Sequence, residues 1–266
     1  MKSFFVRFRA FRFPAVVLAT ATLAASLAMA APVTFAQYFQ SNGAQQQWTV
    51  STSGGTTTVL ASGPVIFLFS GVPGLPFVGP ENATFSLSAT SSQVGNCGVN
   101  CGAGDSLVQP GYAGTFSFID NGGGSAQGSN LLSGTFAVTG SPSTTGAQFS
   151  SHIGSSGGSF NASATAGNLL QLVMTSKYLN FAGQTEENAS WSLSSLIPNF
   201  AVGTVTSGQA FPAVGPFNAA GSGTFSSNPG PTASPEPVTL GLIGVGLCGL
   251  ALVRRRRRST VTSAGR

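Results

Sequence analysis

Between residues 31 and 233 the chain switches, residue by residue, between an apolar group and a small hydroxyl. In Ala83-Thr84-Phe85-Ser86-Leu87-Ser88-Ala89 the odd positions are apolar and the even ones carry hydroxyls. Thr115-Phe116-Ser117-Phe118-Ile119 and Ser190-Trp191-Ser192-Leu193-Ser194 repeat the pattern. A period of two sends alternate side chains to opposite faces of a strand, and a helix cannot gather them on one side. One apolar and one polar face mark half-buried antiparallel strands. A disordered reading competes, because the region is rich in Gly, Ser, Thr and Asn. Disorder, however, goes with few aromatics and a high net charge. Of the chain's 21 phenylalanines 16 lie in this region, and burying one is worth roughly 1.5–3 kcal/mol. The folded β reading wins.

Further strands are expected at 46–51, 64–70, 131–139, 169–175 and 219–226, separated by breaks at 71–80, 121–124 and 154–158 rich in Gly, Pro or Asn. Val65-Ile66-Phe67-Leu68-Phe69 is apolar on both faces, which suits a central strand. Many short strands with turn signals predict an all-β fold, an antiparallel β-sandwich or jelly-roll-like ectodomain. Open sheet edges would be a hazard in so uncharged a protein. Gly-Thr-Phe recurs at Gly114, Gly134 and Gly223 with uneven spacing, so a regular solenoid is ruled out. The recurrence is read as a strand start where glycine admits a bulge or close packing.

The two ends of the chain differ from this. Lys2, Arg7, Arg9 and Arg12 precede an apolar stretch, Ala15–Leu27, and Ala28-Met29-Ala30 supplies the small-x-small pattern of signal peptidase. Residues 1–30 are therefore expected to be a signal peptide. Near the other end, Ser234-Pro235-Glu236-Pro237 leads into Val238–Val253, 16 residues without a charge, and then Arg254, Arg255, Arg256, Arg257 and Arg258. As a helix the apolar run rises roughly 24 Å, short of a ~30 Å hydrocarbon core but spannable with snorkelling and thinning. The five arginines act as a stop-transfer and mark the cytoplasmic side, with the tail ending at Arg266.

Those ends carry most of the positive charge. The whole chain has a formal net charge of +5 from 11 Lys and Arg and 6 Asp and Glu. Between Ala31 and Ala233 only Lys177 remains, against Glu81, Asp105, Asp120, Glu186 and Glu187. Phosphate contacts need Lys or Arg, so nucleic-acid binding is excluded for the central domain.

Pro235-Glu236-Pro237, a glycine-rich apolar helix and an arginine cluster, in that order, resemble the PEP-CTERM sorting signal of Gram-negative bacteria. The resemblance covers Pro235–Arg258; the tail Ser259–Arg266 departs from it. It implies recognition by exosortase, a membrane-embedded protease or transpeptidase thought to cut near the motif, and delivery to the cell surface or to extracellular polysaccharide. The expected organisation is a signal peptide at 1–30, an all-β ectodomain at 31–225 and a Pro-rich linker at 226–237 ending in the motif. A transmembrane helix at 238–253 and a cytoplasmic tail at 254–266 follow. The linker, with Pro229, Pro231, Pro235 and Pro237, is expected to be extended and to hold Glu236 clear of the fold for a membrane enzyme.

Cys97 and Cys101 enclose three residues in a Gly-rich loop, and in an exported protein a local disulfide is the first expectation. A metal site would want two further ligands, with only His152 on offer, so no metal is expected. Cys248 lies in the apolar helix and reads as filler. His152 is the only histidine, and no Gly-x-Ser-x-Gly elbow accompanies it or the candidate acids Asp105 and Asp120. Glu186 and Glu187 are adjacent, so in a strand they face opposite ways and make a poor catalytic pair. The chain is read as a non-enzyme without a cofactor.

Sugar binding uses exposed rings. Trp48 and Tyr112 lie in polar or Gly-rich contexts and are the candidate glycan contacts, whereas Trp191 alternates with serines and reads as core. The functional expectation is an exported, surface-sorted protein with a structural or adhesive role in the bacterial envelope or extracellular polysaccharide matrix. The alternative is a carbohydrate-binding module in the exopolysaccharide layer. Expected partners are signal peptidase, an exosortase-type membrane protease, the membrane through the C-terminal helix, and exopolysaccharide.

Overall fold

A computed structural model describes residues 31–43, 45–75, 79–97, 100–122, 127–138, 147–165, 170–206 and 210–234. The signal peptide, the Pro235–Pro237 motif, the apolar run and Arg254–Arg258 lie outside them. The described chain is all-β, and the alternation of the sequence becomes fifteen strands. In chain order these are β1 (Val33–Gln40), β2 (Trp48–Ser53), β3 (Thr56–Phe69), β4 (Glu81–Ser91), β5 (Ser106–Asp120), β6 (Asn130–Val138), β7 (Ala147–His152) and β8 (Gly158–Thr165). There follow β9 (Leu170–Thr175), β10 (Leu179–Asn180), β11 (Glu186–Ile197), β12 (Val202–Thr206), β13 (Ala210–Val214), β14 (Phe217–Asn228) and β15 (Thr232–Ala233). Eleven of them form one antiparallel sheet.

The pairings of that sheet close on themselves. From β1 they run to β3, β4, β5, β7, β8, β11, β14 and back to β1. Three long strands make this possible by changing neighbours part-way. β3 pairs with β2 over Thr56–Ala61 and with β1 over Val65–Phe69. β14 likewise turns from β2, at Phe217–Ala219, to β1, at Ser222–Ser227. β5 meets β7 over Ser106–Tyr112 and β6 over Gly114–Ile119. The change on β5 falls at a bulge holding Pro110 and Gly111. Proline cannot donate to a ladder and Gly111 has φ 79°, so both residues suit the corner.

Closure is complete at one end and interrupted at the other. At the far end, where His152 pairs with Ser106, the ladders run from β3 through β2, β14, β11, β8 and β7 to β5, although Ser51–Ser53 of β2 and Ser106–Gln109 of β5 have a ladder on one side only. At the end where Val33 pairs with Ser227, the path runs β5–β6–β9 and then stops. There β9 lies beside β8 and β11 with no ladder between them among the described residues. The first strand residue, Val33, and the last described residue, Ser234, belong to this second end, here called the termini end.

Inside the ring the core is aromatic. Phe85 and Phe118 stack at 4.8 Å, and Tyr38 packs against Phe85 at the same distance. Phe116 lies 5.4 Å from Trp191 and 5.3 Å from Phe225. Such pairs add roughly 0.5–1.5 kcal/mol beyond the area they bury. The rings need room, and glycines opposite them supply it. Gly134 pairs with Phe116 across the ladder, and a Cβ there would sit 2.5 Å from the Phe116 ring. Gly223, flanked by Tyr38 and Trp191, would bring a Cβ to 2.6 Å from Tyr38. Gly114 is opposed to Phe136, and a Cβ there would strike the Ser88 carbonyl and Ala89. The recurring Gly-Thr-Phe thus lies within strands rather than at their starts. Its glycine makes a hollow and its phenylalanine, two residues on, fills the same inward face.

Two expectations change. The stretch 226–237 is not a linker throughout: Ser226–Asn228 belongs to β14, and Thr232–Ala233 pairs with Leu179–Asn180. The Ser234 N–H then donates to the Tyr178 carbonyl at 2.7 Å, so the fold extends to residue 234 rather than ending at 225. Prolines signalled an extended chain, and in its described part, which stops at Ser234, Thr232–Ala233 is extended but has found a partner strand. Val65–Phe69, read as a central strand because it is apolar on both faces, lies between β1 and β4, with Val65 and Phe67 fully inside and Ile66 and Leu68 only half-buried beside Phe39 and Gln37 of β1.

Candidate functional site

The outward face of the sheet is set by the same alternation as the core. Ser62, Ser86, Ser117, Ser133 and Thr175 are direct cross-strand partners over β3, β4, β5, β6 and β9. Strands about 4.8 Å apart bring their hydroxyls within bonding reach. Ser86 and Ser117 are 2.8 Å apart, as are Ser133 and Thr175. A second row, Ser150, Ser159, Ser192 and Ser222, crosses β7, β8, β11 and β14, with Ser150 and Ser159 at 2.8 Å. Beside it the Ser190 hydroxyl donates to Asn161 Oδ1 at 2.6 Å, and Ser163 donates to Asn188. These rows carry no charge.

Charge is gathered at the termini end. Glu81 opens β4, Asp120 closes β5, Glu186 and Glu187 open β11, and Lys177 follows β9. The Asp120 carboxylate accepts from the Gly122 N–H at 2.7 Å. Burial, and then the Asp120 charge, raise the Glu81 carboxyl above its usual range. Lys177 donates to Ser129 Oγ at 2.8 Å and lies 5.5 Å over the Tyr178 ring.

Glu186 and Glu187 face opposite ways, as alternation requires. Glu186 accepts from Asn188 Nδ2 at 3.1 Å on the outer side. Glu187 shares the inward face with Ala189 and Trp191, at the mouth of the ring. Its carboxyl takes the Met174 backbone N–H of β9 and so bridges the seam that lacks a ladder. Its Oε2 is buried with no hydrogen-bond partner among the described residues. Burial dominates and pushes Glu187 up to about 7, with the Met174 N–H opposing. A carboxylate at that seam also occupies an edge donor that another strand would otherwise use.

The far end holds His152 and Asp105, whereas Asp120, the other acid weighed for catalysis, closes β5 at the termini end. Cys97 and Cys101 are joined in a disulfide, with Cα atoms 5.1 Å apart. Asp105 Oδ2 accepts from the Gly102 N–H at 2.8 Å, tying that loop. The Ser151 hydroxyl donates to the Gly157 carbonyl at 2.5 Å, and the His152 side chain is exposed. Asp105 adjoins the residue paired with His152, yet its carboxylate closes a turn. Among the described residues no three His, Cys, Asp or Glu side chains gather as a metal-holding group.

The glycan contacts expected at Trp48 and Tyr112 are corrected. Both side chains are 0% exposed. Trp48 packs on Phe85 at 5.7 Å and on Trp191 at 6.3 Å, and Tyr112 meets Phe160 edge-on at 5.2 Å. The Tyr112 hydroxyl, its acidity lowered by burial, donates to Gln109 Oε1 at 3.0 Å. Their polar neighbours in sequence misled because those neighbours face outward. Gln109, which no motif singled out, is the hub of this region. It is fully buried, its Nε2 donates to Thr57 Oγ1 and the Gln93 carbonyl, and its Oε1 also accepts from the Val214 N–H at 2.8 Å.

Among the described residues no helix is long and apolar enough to cross a membrane. No family model, no curated protein and no solved structure matches the chain.

Proposed function

We propose that the chain is an exported, surface-sorted protein with a structural or adhesive role in the bacterial envelope or extracellular polysaccharide matrix. Signal peptidase removes the N-terminal segment, and the helix at 238–253 holds the product in the membrane until an exosortase-type enzyme acts near Pro235-Glu236-Pro237. The observation that carries this reading is the position of the fold between the two addresses. The strands begin at Val33 and the last tied residue is Ser234, so neither proposed address is needed to build the ring. The closed sheet is read as a sandwich-like cargo that presents hydroxyl rows and a packed aromatic interior. Intact-mass measurement of the exported protein tests the reading. A product starting at Ala31 and lacking residues 238–253 is expected, and a full-length product dissolved in cytosol refutes it.

The second reading is a carbohydrate-binding module in the exopolysaccharide layer. It loses Trp48 and Tyr112 to the core, and the uncharged row from Ser62 to Thr175 is the feature that still favours it. Neutral glycans binding on an array, and losing that binding when Ser117 and Ser133 are replaced by larger side chains, would favour it over the structural role.

A further inference from the structure

Resting on the processing reading above, we propose that β15 is a latch. The segment just before the sorting motif is held in the fold by β10, and the membrane enzyme reaches its substrate only after that strand lets go.

The latch is built from short contacts. Leu179 pairs with Ala233 and Asn180 with Thr232, and the Ser234 N–H donates to the Tyr178 carbonyl at 2.7 Å. Ala233 lies against the turn at Gly74, and Pro231 is buried. Gly230 approaches Val33 at the start of β1, where a Cβ would meet the valine Cβ at 3.5 Å. The motif begins at the next residue after Ser234.

Two physical consequences follow. Proteases that bind a peptide in extended form hydrogen-bond its backbone much as an added strand does. The backbone of Thr232–Ser234 is already engaged with β10 and cannot serve both partners at once. The second consequence is reach. With the latch closed, only Pro235, Glu236 and Pro237 separate Ser234 from the apolar run, at most about 14 Å of extended chain. If 229–234 peel away, the free chain starts at Asn228 and spans up to about 35 Å. A two-residue strand with few ladder bonds belongs to the least stable part of a fold, so it can open without unfolding the ring.

Asn180 and Thr232 are register partners with exposed side chains, so a cross-link there leaves the core untouched. The test is the double variant Asn180→Cys with Thr232→Cys, expressed at full length in an exosortase-bearing bacterium, with each single variant as control. Mass spectrometry reads how much product still carries residues 238–253, and thiol labelling reads how much is cross-linked. The cross-linked form should be processed at least ~10-fold more slowly than wild type, and reductant should restore the rate. Processing at the wild-type rate with the cross-link intact overturns the latch alone. A wild-type protein that always keeps its helix overturns the processing reading, and the latch with it.

Discussion

Replacing Glu187 by Gln should stabilise the protein above neutral pH and leave it unchanged in mild acid. Glu187 is raised from 4.5 to about 7 because its carboxyl sits at the half-buried mouth of the ring, and no charged neighbour contributes to the shift. A folded-state value above the unfolded one means that folding favours the protonated form. Its contribution to stability is therefore fully present below about pH 4.5 and is lost as pH rises through 7. The shift corresponds to a ceiling of about 3.4 kcal/mol at 1.36 kcal/mol per unit. Solvent at the mouth screens part of that, leaving roughly 1–2 kcal/mol. Glutamine keeps an oxygen for the Met174 N–H and carries no charge, so it removes the penalty and not the bridge. Urea denaturation of the exported protein at pH 4 and pH 8 measures the difference. The variant should match wild type at pH 4 and exceed it by ~1–2 kcal/mol at pH 8, equivalent to roughly 2–4 °C in Tm per kcal/mol. Glu81 shifts in the same direction, but it is common to both proteins and cancels in the comparison. Parallel pH profiles, or a variant weaker at pH 8, would refute the placement of Glu187 at a half-buried seam.

Gly134→Ala should cost roughly 1–3 kcal/mol by overpacking: Phe116 is held between Trp191 and Phe225 and has nowhere to retreat. Gly43→Ala, with nothing within 4 Å of its added methyl, is the control in the same thermal melt. Gln109→Leu should lose about 2–4 kcal/mol in chemical denaturation, because the Val214 N–H and the Tyr112 hydroxyl are left buried without their acceptor. Reducing the Cys97–Cys101 disulfide should cost at most about 2 kcal/mol, since the loop it closes is short. Denaturation with and without reductant checks it, and a larger loss would mean that the bridge supports more than its own loop.

The fold was legible where a strand alternates without interruption. β4, β5 and β11 appear in the sequence as Ala83–Ala89, Thr115–Ile119 and Ser190–Ser194, although each proves longer. β1 was not legible because a bulge between Thr34 and Ala36 puts Phe35 and Ala36 consecutively into the core and breaks the period. β7 and β8 were missed because each offers one large inward ring, Phe149 or Phe160, among small residues. Those small residues are what the core requires there, since the space is taken by Trp191, Trp48 and Tyr112 from other strands. At the candidate sites, alternation correctly set Glu186 and Glu187 on opposite faces. It held no information about which strand would lie across the mouth, so the Glu187–Met174 bridge could not be read. The error over Trp48 and Tyr112 has the same root: flanking polarity reports the opposite face of a strand.

The uncharged surface and the closed ring answer one another. A sheet with one lysine and a handful of acids cannot protect its edges with charge, which is the usual defence against strand-to-strand aggregation. Ring closure leaves only short one-sided stretches at the far end, and every described charged residue but Asp105 lies at the end where closure fails. Glu187 caps the edge of β9, and Glu81, Asp120, Glu186 and Lys177 surround the same end. On the proposed reading that end also faces the bilayer, because both described termini leave from it. Replacing Glu187 by an apolar residue should then do what glutamine does not. Glu187→Leu removes the acceptor from the Met174 N–H on the side of β9 that has no ladder, next to Val173, which is 45% exposed. It should promote concentration-dependent association visible by light scattering, while Glu187→Gln remains monodisperse. Equal association of the two variants would mean that β9 is protected by something other than the carboxyl oxygen.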